Sequence, residues 1–170
     1  HLRLAAHWPM VEPEQGEFNF TELDYQIKKA EETGSEIILA VGRRLPRWPE
    51  CHVPVWARTL SVDARNDAQL EYMKLVIDRY RNSPAVKYWQ VENEPFLKVF
   101  AFEYCGELDK NFLDKEISLV RKLDPTRQII ITDSGNLGLW AGAYSRGDIF
   151  GTSVYVHFWN PDIGQFRTIL

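Results

Sequence analysis

The run Trp89-Gln90-Val91-Glu92-Asn93-Glu94-Pro95 takes an apolar segment directly into an acid, an amide, a second acid and a proline. Proline has no N–H to give to a sheet ladder, so pairing ends at Pro95 and leaves Asn93 and Glu94 at the carboxyl end of a core strand. A carboxyl group in that position can donate a proton to a leaving oxygen and later take one from water. Hydrolysis of a glycosidic bond needs such an acid, with a second carboxylate across the sugar, and gains further from a polar contact at the sugar 2-hydroxyl. Glu94 and Asn93 supply one of each. The plain alternative, a solvated Glu at a strand end that happens to precede proline, is disfavoured by the strand context and the tryptophan-rich surroundings. Glu92 shares strand parity with Gln90 rather than with Asn93, so it either supports the site from behind or points at a helical layer.

Other side chains could serve the same chemistry. The loop 43–56, RRLPRWPECHVPVW, is rich in Trp, Arg and Pro. Trp48 and Trp56 could stack on pyranose faces; Trp48 is the one expected to be exposed, with the other packing as loop core. Trp8, Trp140 and Trp159 are weaker candidates of the same kind. Tyr155 and His157 share a face of one predicted strand by alternation, either at the substrate site or as ordinary barrel filling. His7 is either a sugar contact or a hydrogen-bonded barrel residue. The four histidines are scattered and show no HExxH or paired spacing, so no metal site is expected, and glycoside hydrolysis needs no cofactor.

Positioning these residues requires strands and helices in alternation. Residues 1–8 read as a strand, with Arg3, Ala5 and His7 on one face and Leu2, Leu4, Ala6 and Trp8 on the other. A helix is predicted from Thr21, with Thr21 as cap, Asp24 three residues on, Phe20 stapling onto Tyr25, an apolar stripe of Leu23, Ile27 and Ala30, and Gly34 as the stop. Residues 36–42 form a near-continuous apolar run, the mark of a strand buried on both faces. A long helix over 62–80 buries Tyr72, Met73, Val76, Ile77 and Tyr80. Further strands are predicted at 86–93, 128–133 and 149–158, with a helix at 109–123 ended by Asp124-Pro125 and a short helix around 140–144.

Alternating helices and apolar strands indicate a parallel α/β sheet, either open and doubly wound or closed into an eightfold barrel. An open sheet calls for a glycine-rich phosphate loop after an early strand, and no GxGxxG or GxxxxGK[ST] occurs. Polar and aromatic residues instead collect just after the strands, where barrel enzymes place their chemistry, so the expected fold class is α/β, a partial TIM (β/α)8 barrel. A complete barrel needs about 250 residues, against the 170 present. Cys51 and Cys105 fall in the loops after two neighbouring barrel strands, where a disulfide is conceivable but not guaranteed.

Composition narrows the function classes. The chain is 45% hydrophobic and 26% charged, with a formal net charge of −4 and no run of Lys or Arg, which argues against a nucleic-acid partner. No apolar run approaches the roughly 18 residues of a membrane span. Two cysteines cannot build a disulfide scaffold. No obligate protein partner is evident. The chain begins at His1 without Met and reads as a piece of something longer: residues 1–170 as part of a single catalytic barrel domain, with the cellular compartment left open.

With those residues in place, the chain resembles clan A of the glycoside hydrolases, the barrel enzymes that include cellulase-like family 5 and β-galactosidase family 42. In that clan an Asn-Glu-Pro comes after the fourth strand, which implies Glu94 as general acid/base and Asn93 as the 2-hydroxyl partner. The segment Leu2-Arg3-Leu4, Trp8, Val11-Glu12-Pro13-Glu14, Gly16-Glu17-Phe18 and Leu23-Asp24 is similar to the clan's second strand and the loop and helix start beyond it, which implies Arg3 inside the barrel near the catalytic acids. The resemblance also implies that Tyr155 and His157 line the substrate site, although cellulase-like family 5 commonly has His before Tyr. The strands here would then be about the second to the sixth of eight. The clan's nucleophile, a Glu ending the seventh strand, matches no position before Leu170.

The leading expectation is therefore a retaining β-glycosidase acting on an oligo- or polysaccharide, represented by part of its barrel. The alternative is a non-catalytic or vestigial sugar-binding piece that keeps aromatic subsites without turnover. An unrelated barrel chemistry, such as a lyase or aldolase, would need a Lys or metal cluster at the strand ends, and none is evident.

Overall fold

The computed structural model describes residues 1–97, 105–106, 108–135, 138–154, 156–160 and 163–168. Strand β1 (Leu2–Ala5) is followed by a one-turn helix α1 (Trp8–Val11), helix α2 (Thr21–Thr33) and strand β2 (Ile37–Val41). A 3₁₀ turn (Val55–Thr59) leads into helix α3 (Val62–Tyr80) and strand β3 (Val86–Val91). Helix α4 (Lys110–Leu123), strand β4 (Gln128–Ser134), helix α5 (Ala141–Tyr144) and strand β5 (Ile149–Ser153) complete the alternation. A hairpin of β6 (His157–Asn160) and β7 (Gln165–Thr168) comes last.

Strands β1 to β5 lie side by side in chain order, each pair parallel. A doubly wound sheet reverses its strand order at a switch point, and this one does not, so it is an arc of a barrel. Alternate strand residues Ile37, Leu39, Val41, Trp89, Val91, Ile129 and Ile131 join one buried cluster with Leu23 and Ile27 of α2, Tyr72, Met73 and Val76 of α3, and Leu113 and Ile117 of α4. Helices therefore cover that face, and the opposite parity, including Gln90, Ile130, Thr132 and Ser153, belongs to the barrel interior.

Helix ends obey local chemistry. Ser61 accepts from the Ala64 N–H at the start of α3, and Asp109 accepts from the Asn111 and Phe112 N–H groups at the start of α4. Gly34 ends α2 in the left-handed region, at φ 64°.

Four expectations need correcting. Strand β1 stops at Ala5, not at residue 8, because Pro9 occupies the first turn of α1 and cannot continue a ladder. Strand β3 ends at Val91, two residues short of the expected 93, because Glu92 adopts a left-handed φ of 57° that leaves the pleat. The predicted strand 149–158 is two elements: β5 ends at Ser153, and His157 opens β6, which pairs antiparallel with β7 instead of extending the parallel sheet. At the start of α2 no side chain of the cap residue bonds, Asn19 accepts from the Thr21 N–H, and Phe20 packs on Tyr80 while Tyr25 is exposed.

Candidate active site

Strand β3 is flanked by β2 on one side and β4 on the other, and its carboxyl end carries the candidate acid. After Val91 the chain turns through two left-handed residues, Glu92 at φ 57° and Glu94 at φ 46°. Bonds on every side hold this turn. The Glu92 N–H donates to Val41 O at 2.9 Å, the Asn93 N–H to Arg44 O at 2.7 Å, and the Leu97 N–H to Glu94 O at 3.0 Å. The Glu94 N–H donates to the Thr132 hydroxyl of β4 at 2.9 Å, and the Ser153 hydroxyl of β5 donates to Glu94 Oε1. Gln90 Nε2 donates to Asn93 Oδ1 at 3.3 Å, fixing the amide beside the acid. Both Asn93 and Glu94 are buried, each 7% exposed.

Of two charged neighbours, Arg44 was legible only as one of the polar residues that follow the strands, and Glu50 was missed. Arg44, buried in the loop after β2, donates from Nη1 to Leu97 O at 2.9 Å. Burial pushes its guanidinium down, opposed by the charges of Glu92, Glu50 and Glu94. The Glu50 carboxyl is pushed up by burial and then by the Glu94 charge, with Arg44 acting the other way. The Arg-rich composition of this loop was visible in the sequence, but nothing in the linear pattern directs Arg44 and Glu50 toward Glu94. Thr132 was equally hidden, though the alternation of β4 places it on the interior face with Ile130.

Three further acids are occupied elsewhere. Asp133 accepts from the Ser134 and Trp140 N–H groups, so it ties down the loop after β4. Glu12 accepts from Trp8 Nε1 at 2.7 Å and from the Gly16 N–H at 2.9 Å. Asp148 sits at the opposite rim, at the amino end of β5, accepting from the Ile129 N–H and pairing with Arg121.

Arg3 is exposed on β1 and lines a cavity of about 340 Å³ with His7, Glu22, Pro46 and Arg47. Glu94 is not among the residues that line it. His7 Nε2 lies 3.3 Å from Pro46 O and its ring 4.3 Å from that of His52, whose Nε2 lies 3.2 Å from Arg47 O. The two histidines thus fasten the backbone of the loop that carries Trp48. Burial above all lowers both imidazoles, with Arg47 adding to the effect at His7 and His7 adding to it at His52.

Trp48 is 80% exposed, whereas Trp56 packs edge-on against the buried Trp8 and donates to Glu12 O. Trp140 is partly exposed and donates to Ser134 O. His157 lies on the hairpin, its Nδ1 2.9 Å from the Thr168 hydroxyl, so it shares no sheet strand with residues near Glu94. Tyr155 and the side chain of Trp159 lie outside the described residues. Cys51 and Cys105 are bonded, with Cα atoms 5.7 Å apart, clipping the loop after β2 to the segment before α4. Among the described residues no group of three or more His, Cys, Asp or Glu is placed to hold a metal ion, and no helix is long and apolar enough to cross a membrane.

This geometry can be set beside known proteins. Residues 3–59 match the glycoside hydrolase family 42 profile, described as β-galactosidase. The chain is 25% identical over 172 residues to a probable mannan endo-1,4-beta-mannosidase F of Emericella nidulans, covering 89% of this chain and 37% of that protein. It is 27% identical over 180 residues to the mannan endo-1,4-beta-mannosidase A of Podospora anserina, covering 97% of this chain and 45% of that one. Among solved structures, the β-galactosidase from Rahnella sp. R3 superposes with a TM-score of 0.69 at 14% identity, over 94% of this chain and 35% of that chain. These likenesses support placing the chain with the clan A glycoside hydrolases, and the superposition shows the fold of part of a TIM barrel. Xylanase 10B from Thermotoga maritima shares the same fold, with a TM-score of 0.60 at 19% identity over 78% of this chain and 42% of its own. The segment spans less than half the length of these curated relatives. The five adjacent parallel strands of this chain match part of the eight-stranded TIM-barrel arrangement.

Proposed function

We propose that the protein containing this chain is a retaining glycoside hydrolase acting on a β-linked oligo- or polysaccharide, with residues 1–170 forming part of its one catalytic barrel domain. Glu94 is the general acid/base and Asn93 bonds the sugar 2-hydroxyl. The observation that carries this reading is the seat of Glu94: it lies at the carboxyl end of a central strand, its backbone N–H held by Thr132 and its carboxyl group by Ser153, from the next two strands. Active sites of such barrels sit at this end of the sheet.

In the first step Glu94 gives its proton to the glycosidic oxygen as the bond to the anomeric carbon breaks and a carboxylate takes the sugar. In the second, the Glu94 carboxylate takes a proton from the water that attacks the anomeric carbon and frees the nucleophile. Retention requires that second carboxyl about 5–5.5 Å from the acid. The bonds made by Asp133, Glu12 and Asp148 leave them unsuited to the role, so the nucleophile is assigned to a Glu outside residues 1–170, with Arg3 and Tyr155 stabilising its ionised form. His7, Trp48 and His157 are assigned to sugar contacts, Trp48 with the best support because of its exposure.

The test is a mechanism-based 2-fluoro glycoside applied to the full-length protein, with the labelled peptide then mapped. Labelling of a Glu outside this chain is expected; labelling of Asp133 or any other residue of 1–170 would overturn the assignment. The exposure of Trp48 also suits the alternative of a sugar-binding barrel without turnover, which predicts saturable oligosaccharide binding and no labelling at all.

A further inference from the structure

We propose that Glu92 is a positioning residue whose buried carboxylate, bonded to the loop after β2, holds the Asn93–Glu94 turn in the geometry from which Glu94 delivers its proton. This rests on the reading of Glu94 as general acid/base.

Glu92 points away from the barrel interior, under the site, and is 4% exposed. Its Oε1 accepts from the Arg43 N–H at 3.0 Å and from Gln69 Nε2 at 2.9 Å, and its Oε2 accepts from the Arg44 N–H. Arg44 O in turn accepts from the Asn93 N–H, so a closed ring of bonds runs from the Glu92 carboxylate through Arg44 and back to the residue next to Glu92. Gly42 makes room for this ring. It sits at φ 117°, and a Cβ there would fall 2.5 Å from Glu92 Oε1.

Behind the carboxylate the helical layer supplies polar partners in an otherwise apolar core. Gln69 of α3 donates to both Glu92 and Glu116 of α4. Burial, and then the Glu92 charge and a hydrogen bond between the two carboxyls, raise the Glu116 carboxyl far above the usual range. Arg43 faces the pair, donating to Asn66 Oδ1 at 2.8 Å with its guanidinium over the Phe112 ring. The Glu92 carboxyl is thus met by three donors, with the guanidinium groups of Arg43 and Arg44 nearby.

Packing alone would be served as well by apolar side chains in these positions, since buried ionic groups rarely add net stability. What an apolar residue at 92 cannot do is bond two successive N–H groups of a neighbouring loop. Without those bonds Glu92 and Glu94 lose the constraint that keeps two non-glycine residues left-handed, and they relax toward negative φ. That rotation swings the Glu94 carboxyl away from the scissile oxygen, and misplacement by about 1 Å suffices for a loss near 100-fold.

The experiment is Glu92→Gln in the full-length protein, with kcat/KM measured on aryl β-glycosides of graded leaving-group acidity. A carboxamide keeps the size and one acceptor but offers N–H where one loop N–H must be accepted. A 2,4-dinitrophenolate leaves without a proton, so its kcat/KM should stay near wild type, whereas that of a poor leaving group should fall about 10- to 100-fold. Equal losses on both substrates, or none, would overturn the positioning role. Glu94→Ala run alongside separates two failures. If Glu94→Ala shows no such split, the general-acid reading falls and the inference with it; if it does and Glu92→Gln does not, the inference alone falls. Gln69→Met, which removes one donor to Glu92, should show the same split at smaller scale, and it carries the test if Glu92→Gln does not fold.

Discussion

The turn after β3 and the segment after β5 lie at the same end of one sheet, yet they are held very differently. Strand β3 has a strand on each side, and Glu92, Asn93, Glu94 and Pro95 are all buried. Their backbone and side chains bond to the loop after β2, to β4 and to β5. Strand β5 is the last of its sheet among the described residues; beyond it Val154 and Val156 are exposed, and β6 and β7 form a separate two-stranded sheet with β7 exposed throughout. A strand with neighbours on both sides can fix a carboxyl group from several directions at once, whereas a strand at a sheet edge offers one. The side chain that must be placed most accurately is on the strand with most neighbours.

That contrast can be broken at its centre. Glu94→Gln in the full-length protein should lower turnover of unactivated polysaccharide by about 100- to 10,000-fold, with an unchanged melting transition. Turnover close to wild type would remove Glu94 from the mechanism. A smaller effect is expected at the clip between the loops. Replacing Cys51 and Cys105 by serine should cost about 2–4 kcal/mol of stability, read as a shifted denaturant midpoint. Hydrogen exchange should quicken at residues 43–53 and leave β6 and β7 as they were; uniform acceleration would mean that the two regions are not held independently.

The histidine pair sharpens the comparison by pH. The imidazoles of His7 and His52 lie below their ordinary value of about 6.5, so between the folded and unfolded values the unfolded chain binds more protons. Their contribution is fully present above about pH 6.5 and is lost as pH falls below it. The melting temperature should therefore drop on going from pH 7.5 to 5.5, and His7→Asn with His52→Asn should flatten that dependence; an identical slope in wild type and variant would exclude the pair as its source. The smallest effect belongs to the exposed segment: Val154→Thr should change stability by less than about 0.5 kcal/mol and leave kcat/KM untouched. A large loss of activity would show that Val154 itself shapes the site alongside the Tyr155 and His157 assigned to it.

Much of this molecule could be read before its fold was known. The 3.6-residue stripe marks α3 at its observed bounds, Gly34 ends α2, and apolar runs mark β2, β3 and β4, because periodicity and capping are properties of neighbouring residues. The Asn93-Glu94-Pro95 motif was legible for the same reason, since Pro95 marks the strand end locally. Alternation misled at residues 149–158, because an extended chain looks alike whether it pairs in parallel with β4 or turns into a hairpin. Pro9 carried the signal that shortened β1, but the alternating pattern around it pointed the other way.

What tertiary structure alone decided are the partners of the acid and of its neighbour. Thr132 and Ser153 reach Glu94 from 38 and 59 residues away, Gln69 and Glu116 meet Glu92 from opposite directions in the chain, and Cys51 finds Cys105 across 54 residues. The types of these residues were in plain view, but a hydroxyl or a carboxyl carries no mark of what it will touch. Only assembly of the sheet from adjacent parallel strands, with the helices packed behind, brings such distant groups within hydrogen-bond distance. The sequence by itself therefore marks Glu94 as a candidate at a strand end; the packed strands and helices decide where its carboxyl is aimed and what holds it there.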